Sequence, residues 1–396
     1  MKYSDLSVLR KKEKRLVIGL MSGTSGDGID AVLTEISGYG MAINVKQLDF
    51  LFVPFERGVR ERILRIAEGA FGGSTEICRM SNLLGSLYAE ACLALCRHSN
   101  TDPGQIDLVG NHGQTVWHMP VDEEYLGHRI TGTLQIGEDA RIAEALGCPV
   151  IGDFRVRDMA AGGLGAPLVP YTEYLLYRRT DRTVALQNIG GIGNITILPK
   201  NCTLDQVTAF DTGPGNMVMD ALALQLTGGT QSYDEGGRLA ASGNISKTLL
   251  QHMLEEPYLK KRPPKTTGRE YFGQRYVSEL TAFAATQGIS LLDCLATATR
   301  FTAECIAAGI TDFSPQAPDI LIVGGGGSRN PVLLQHLRDL LRPCQVMTNE
   351  DAGFDSDSKE AVAFAILANE ALGGMTNNVP SVTGAAHPVV MGKLSL

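Results

Sequence analysis

Long apolar runs are absent from this chain. No stretch of about 18 apolar residues occurs, so no membrane-spanning helix is expected. The N-terminus has no apolar core followed by a small-residue cleavage site, so export through a signal peptide is not expected either. No basic stripe is present: 35 Lys and Arg stand against 43 Asp and Glu, for a net charge of -8 and a pI near 5.5. That balance argues against nucleic acid as a partner. The one basic run, Arg10-Lys11-Lys12-Glu13-Lys14-Arg15, is broken by an acid and reads as a solvated arm. None of the eight cysteines forms a CxxC pair, and the seven histidines show no HExxH spacing. This excludes the usual zinc patterns and fits free thiols in a reducing cytoplasm. Cys92 and Cys96 lie one helical turn apart in an Ala/Leu-rich segment and read as core. There is no low-complexity tract or fixed-period repeat. What is present is 396 residues with 44% apolar content, enough for large cores and about two or three domains.

Two halves follow one plan. The first opens with β-rich runs at Leu16–Leu20, Ala31–Ile36 and Val45–Val53. Helical periodicity follows at about 59–69 and 77–97, then a strand at Leu108–Gly110, a helix at Arg141–Leu146 and a strand at Pro149–Gly152. The second opens with Thr183–Ile189, Ile195–Leu198 and Val207–Phe210. Helices follow at about 215–227, 245–255, 273–287 and 292–309, with a strand at Ile320–Val323 and a closing helix at Lys359–Leu372. Each half is thus a three-stranded meander continued by alternating helix and strand, which predicts an α/β fold of mixed sheets flanked by helices. The charged stretch Arg178–Arg182 sets the expected boundary, with domains at 1–180 and 181–396.

Four glycine-rich turns follow strands. In Ser22-Gly23-Thr24-Ser25-Gly26-Asp27-Gly28-Ile29-Asp30, glycines permit close backbone approach. Successive N–H groups can cradle phosphate oxygens, and Asp27 and Asp30 suit a cation beside a phosphate. A polar hairpin turn fits the same residues. Asn188-Ile189-Gly190-Gly191-Ile192-Gly193-Asn194 sits equivalently in the second half, as a second phosphate loop or a tight hairpin. Phe210-Asp211-Thr212-Gly213-Pro214-Gly215-Asn216 presents Asp211 at a strand end, as a general base or as a helix cap. Gly324-Gly325-Gly326-Gly327-Ser328-Arg329-Asn330 leaves a flat backbone for a nucleoside, or a loose loop. Elsewhere, His112 and Gln114 follow a strand. Arg155 and Arg157 can grip an anion or form local ion pairs. Glu360 is favourable in a first helical turn whatever else it does.

These strings together resemble the anhydro-N-acetylmuramic acid kinase family of the sugar kinase, chaperone and actin superfamily. The resemblance rests on GLMSGTS-x-DGID, NHGQT, QIG, DFR-x-RD-x-AAGG-x-GAPLVP, NIGG, FDTGPGN, TGREYF and GGGG, spread from about Ile18 to Pro388. It implies two actin-like, ribonuclease H-like domains with a central cleft in which ATP and a 1,6-anhydro sugar meet. It implies Asp211 as catalytic base. Gly23, Thr24, Ser25, Gly26, Asp27, Gly28, Ile29, Asp30, Gly190, Gly191, Gly324, Gly325, Gly326 and Asn330 are implied on the nucleotide. His112, Gln114, Arg155, Arg157 and Glu360 are implied on the sugar, and Asp27 and Asp30 on Mg²⁺. A cytoplasmic homodimer acting in peptidoglycan recycling is expected. Gly26 stands where the family has a bulkier apolar residue, which predicts a looser loop. Leu164 stands where Gln is common, which bears on sugar specificity. Two other functions stay open: a kinase for another anhydrosugar such as levoglucosan, and a non-catalytic ATP-gated binding protein on the same fold.

Overall fold

The run at Leu16–Leu20 forms the middle of β1 (Lys14–Ser22), a strand buried on both faces. In the computed structural model, which describes residues 6–70 and 72–396, β1 pairs antiparallel with β2 (Gly28–Ser37), and β2 with β3 (Asn44–Pro54). On its other edge β1 pairs parallel with β4 (Leu108–Tyr125). β4 in turn pairs antiparallel with β5 (His128–Ile136) and parallel with β6 (Val150–Gly152). Ile18 and Leu20 pack one face of the sheet against Leu84, Tyr88, Cys92 and Leu95 of the helix Ser74–His98. Cys92 and Cys96 are core residues there, and all eight cysteines are free thiols. The sequence expectation stopped the fourth strand at Gly110. The strand instead continues through His112 and Gln114 into a hairpin with β5, because cross-strand pairing carries a segment that has little apolar alternation of its own.

In the second unit β7 (Val184–Ile189), β8 (Ile192–Leu198) and β9 (Thr208–Pro214) form an antiparallel meander. β10 (Ile320–Gly324) pairs parallel with β7, and β11 (Gln345–Thr348) pairs parallel with β10. The helix Leu291–Phe313, capped by the Ser290 hydroxyl, buries Phe301 and Ile306 with Ile195 and Phe210 of this sheet. The orders β3-β2-β1-β4-β6 and β9-β8-β7-β10-β11 repeat one plan. The fold is therefore α/β, with two ribonuclease H-like units, as the sequence implied.

The chain does not divide simply in two. One unit carries it up to Leu175 and takes it back from Asp357 to Leu396; the other is Leu176–Ser356. The helix Lys359–Gly373 closes the second half in sequence, and the expected domain at 181–396 allows its C-terminal segment to pack back on the first; the helix lies in the first unit, on β1 and β4. Glycines explain this. A Cβ on Gly19 would stand 1.9 Å from the carbonyl oxygen of Ala361, and one on Gly110 would stand 2.1 Å from that of Phe364. Two strands without side chains at these points let the helix backbone approach as close as it does. The tail then adds β12 (Lys393–Ser395) antiparallel to β6. No helix among the described residues is long and apolar enough to cross a membrane.

Candidate active site

The turn between β1 and β2 is closed by a hydrogen bond from Gly26 N to Gly23 O of 3.1 Å. Gly26 has φ +59, a left-handed value that a bulky residue adopts at a cost, so glycine suits this backbone and does not loosen it. Thr24, Ser25 and Asp27 are exposed, and the Ser25 hydroxyl donates to Asp27 at 2.6 Å. Ile29 is not available to a ligand through its side chain: strand alternation turns it into the core, where it is 1% exposed. Gly28 is required by packing, since a Cβ there would meet Val53 O at 2.5 Å. No cluster of three His, Cys, Asp or Glu side chains is present among the described residues.

Gln114 braces this loop. Its amide nitrogen donates to Gly23 O at 3.0 Å, and its oxygen lies 2.6 Å from the Ser22 hydroxyl. Fully buried and bonded at both ends, it supports the loop. His112, two residues earlier on β4, packs on Phe364 and pairs through Nε2 with an Arg155 Nη at 2.9 Å. Burial and the adjacent guanidinium push its pKa down to about 3, so the ring is neutral. A neutral ring that accepts at Nε2 carries its proton on Nδ1. Arg155 also donates to Gly165 O at 2.8 Å. His112 Nδ1 and Arg155 Nε are buried without a hydrogen-bond partner among the described residues. Glu360, in the first turn of the returning helix, keeps an accessible surface. Crowding by neighbouring atoms nevertheless raises its pKa, while Lys359 and Arg155 oppose the rise. Arg157 does not join this group: two residues from Arg155 on a helix it faces elsewhere and is exposed.

In the second unit three glycine motifs meet. Gly190 O and Gly191 O accept from Asn216 N at 2.7 Å and Gly215 N at 2.9 Å, so the β7–β8 turn receives the start of the helix Met217–Leu226. The four-glycine run packs on the same turn. A Cβ on Gly325 would meet Asn188 Oδ1 at 2.5 Å, one on Gly327 would meet Ile189 Cγ2 at 2.3 Å, and one on Gly324 would meet Asn349 Nδ2 at 2.3 Å. Internal packing therefore accounts for three of these glycines, and Gly326, with Asn216 at 3.3 Å, is the least confined. The side-chain oxygen of Asn330 accepts from Val332 N and Leu333 N, so it caps the helix Pro331–Leu340.

Asp211 lies within β9 and not at its end. A register shift beside Gly193 and Asn194 re-aims this part of the strand. Its Oδ2 accepts from Thr267 N at 2.9 Å, while Oδ1 makes no hydrogen bond among the described residues. The capping alternative is removed, since the partner is 56 residues away and not in the following helix. Burial pushes the Asp211 pKa up to about 6; the Thr267 N–H and Lys265 pull it down, and Glu270 adds to the rise. The segment 258–267 fixes the strand: Tyr258 OH donates to Asp211 O at 2.9 Å, and Asp211 N donates to Lys265 O at 3.1 Å. Sequence reasoning assigned no role to Tyr258, Lys265 or Thr267, although TGREYF begins at Thr267.

The profile of the anhydro-N-acetylmuramic acid kinase family matches residues 15–395. A protein of that name from Caldanaerobacter subterraneus subsp. tengcongensis is 49% identical over 387 residues, 97% of this chain and 98% of the relative. One from Clostridioides difficile is 42% identical, over 96% of this chain and 97% of the relative. One from Salinibacter ruber is 40% identical, over 99% and 98%.

Proposed function

The chain belongs to the anhydro-N-acetylmuramic acid kinase family and is an enzyme, and on that premise we propose that it converts 1,6-anhydro-N-acetylmuramic acid, ATP and one water into N-acetylmuramic acid 6-phosphate and ADP. The observation that carries this reading is Asp211: half-buried, with one carboxylate oxygen held by Thr267 N–H and the other unbonded among the described residues.

The 1,6-anhydro bridge leaves no free 6-hydroxyl. Water must attack C1 as the C1–O6 bond breaks, and O6 must form the new bond to the γ-phosphorus as ADP departs. Asp211 Oδ1 takes the proton from that water, and the Thr267 N–H holds the carboxylate in place. A glycosidase needs a second carboxylic acid to protonate the leaving oxygen; here the γ-phosphoryl group takes that place. The exposed hydroxyls of Thr24 and Ser25, with the N–H groups of the 23–28 turn, hold phosphate. Asp27 and Asp30 would hold Mg²⁺, which would offset phosphate charge. The two unspent donors of His112 and Arg155 receive oxygens of the sugar, with Glu360 on hydroxyls. On this reading the chain works in peptidoglycan recycling, in the cytoplasm, as a homodimer.

The experiment is incubation with ATP, Mg²⁺ and a panel of anhydrosugars, with product mass and ADP measured. Turnover of the muramic substrate well above levoglucosan supports the proposal. Equal or greater turnover of levoglucosan transfers it to that substrate class, and no sugar phosphate from any of them overturns it.

A further inference from the structure

Asp158 is completely buried and bonded on both oxygens to neutral donors that link three separate segments. Its Oδ2 accepts from Gly165 N at 2.9 Å. Its Oδ1 accepts from Asn378 Nδ2 and from the Thr383 hydroxyl, each at 2.8 Å. No Lys or Arg pairs with it among the described residues. A buried carboxylate held only by neutral donors is costly unless every acceptor site is satisfied, so this arrangement ties the helix Arg155–Ala160, the loop after it and the C-terminal tail to one geometry.

The tail is interlocked with that loop by its backbone as well. Leu164 N donates to Thr383 O, and Ala386 N to Ala161 O, both at 2.8 Å. Asn378 Oδ1 accepts from Val389 N at 2.8 Å, which orients the amide that reaches Asp158. Glycine is required at two places in the loop. A Cβ on Gly163 would stand 2.2 Å from Asp158 Oδ2, and Gly165 has φ +70 with Met159 Cγ at 2.7 Å from its Cβ position. The held loop presents Gly165 O to the Arg155 guanidinium, whose next nitrogen meets His112. A continuous series therefore runs from Thr383 and Asn378 through Asp158 and Gly165 to Arg155 and His112.

We propose that the C-terminal segment 378–389 is a positioning element of the sugar side, acting through Asp158 to fix the Arg155–His112 pair. This rests on the reading of His112 and Arg155 as sugar contacts given above. Asp158, Asn378 and Thr383 touch neither substrate. They set the angle at which the guanidinium and ring are held, where misplacement by about 1 Å costs up to roughly 100-fold.

The test compares Thr383→Val, which keeps shape and removes the hydroxyl, with Thr383→Ser, which restores it. For Thr383→Val the expected result is a rise of about tenfold in KM for the anhydrosugar, with the KM for ATP unchanged and Thr383→Ser close to the parent. An Asn378→Ala chain should behave as Thr383→Val does. A second readout needs no substrate: the imidazole ¹⁵N resonances of His112 should move in Thr383→Val and return in Thr383→Ser. Lower melting temperature with an unchanged sugar KM overturns the proposal, as do unmoved His112 resonances. If the parent chain turns over no anhydrosugar, the functional reading fails, and the resonances alone decide whether the tail sets this pair.

Discussion

The backbone amide of Thr267 donates to Oδ2 of Asp211 at 2.9 Å, joining residues 56 positions apart, and Oδ1 makes no hydrogen bond among the described residues. The bond favours the ionised form, and burial disfavours it more strongly, so the carboxyl titrates near 6 instead of 3.8. A base must be ionised to act. The rate should therefore fall on the acid side with a midpoint near pH 6, measured as kcat/KM against pH. A midpoint near 4 would contradict the assignment.

Two neighbours should move that midpoint in opposite directions. Lys265 is a nearby cation that lowers the Asp211 pKa, and Glu270 is an anion that raises it. Lys265→Met should shift the acid limb to higher pH, and Glu270→Gln should shift it to lower pH. The same pH–rate profiles on both variants check the signs; two shifts in one direction would refute the electrostatic account.

Asp211→Asn should exchange activity for stability. A carboxyl whose folded pKa is raised destabilises the folded state as it ionises, so its stabilising contribution is present below the unfolded value and lost as pH rises through about 6. Asparagine escapes that loss. Melting temperature should exceed that of the parent at pH 8, and the difference should vanish below about pH 4. The rate should drop roughly 100- to 10,000-fold, the range for a lost general base.

His112 should remain neutral throughout the working range, since burial and Arg155 hold its pKa at about 3. Its ¹⁵N shifts should show one tautomer, protonated at Nδ1, from pH 8 down to pH 5. A titration centred near 6.5 would break the assignment of Nε2 as acceptor from Arg155.

Gly19→Ala should be severe. The new methyl would stand 1.9 Å from Ala361 O, in backbone that has no flexible side chain to yield. Overpacking of this kind costs roughly 3 kcal/mol, read as a lower denaturant midpoint. Gly326→Ala, facing only Asn216 Nδ2 at 3.3 Å, should leave stability nearly intact.

Much of this was legible in the chain. The meanders, the parallel strands that follow them and the hairpin at Gly190–Gly191 are local patterns, set by apolar runs and turn residues that lie close together. Asp211 was legible as a residue of interest for the same reason. What was not legible depends on partners far apart in sequence. That Gln114 braces the first glycine turn is not legible, because Gly23 O, which takes its amide, lies 91 residues away. Arg155 and Arg157 read alike until helical geometry separates them. The helix after Ser358 follows the second half in sequence, and a return of the C-terminal segment to the first domain stays open, but nothing local reveals that Gly19 and Gly110 leave the seat for it. The glycine run at 324–327 signals close approach correctly, but the approaching atoms at three positions are the protein's own.

The most direct test of the account is turnover of 1,6-anhydro-N-acetylmuramic acid in ¹⁸O-labelled water, followed by rapid NMR and mass measurement. In-line attack by an Asp211-activated water opposite a bridge on the β face predicts one solvent oxygen at C1 and the α-anomer of the 6-phosphate as the first product, both slowed together in Asp211→Asn. An unlabelled C1, an initial β-anomer, or an Asp211→Asn chain with near-parent turnover would contradict it.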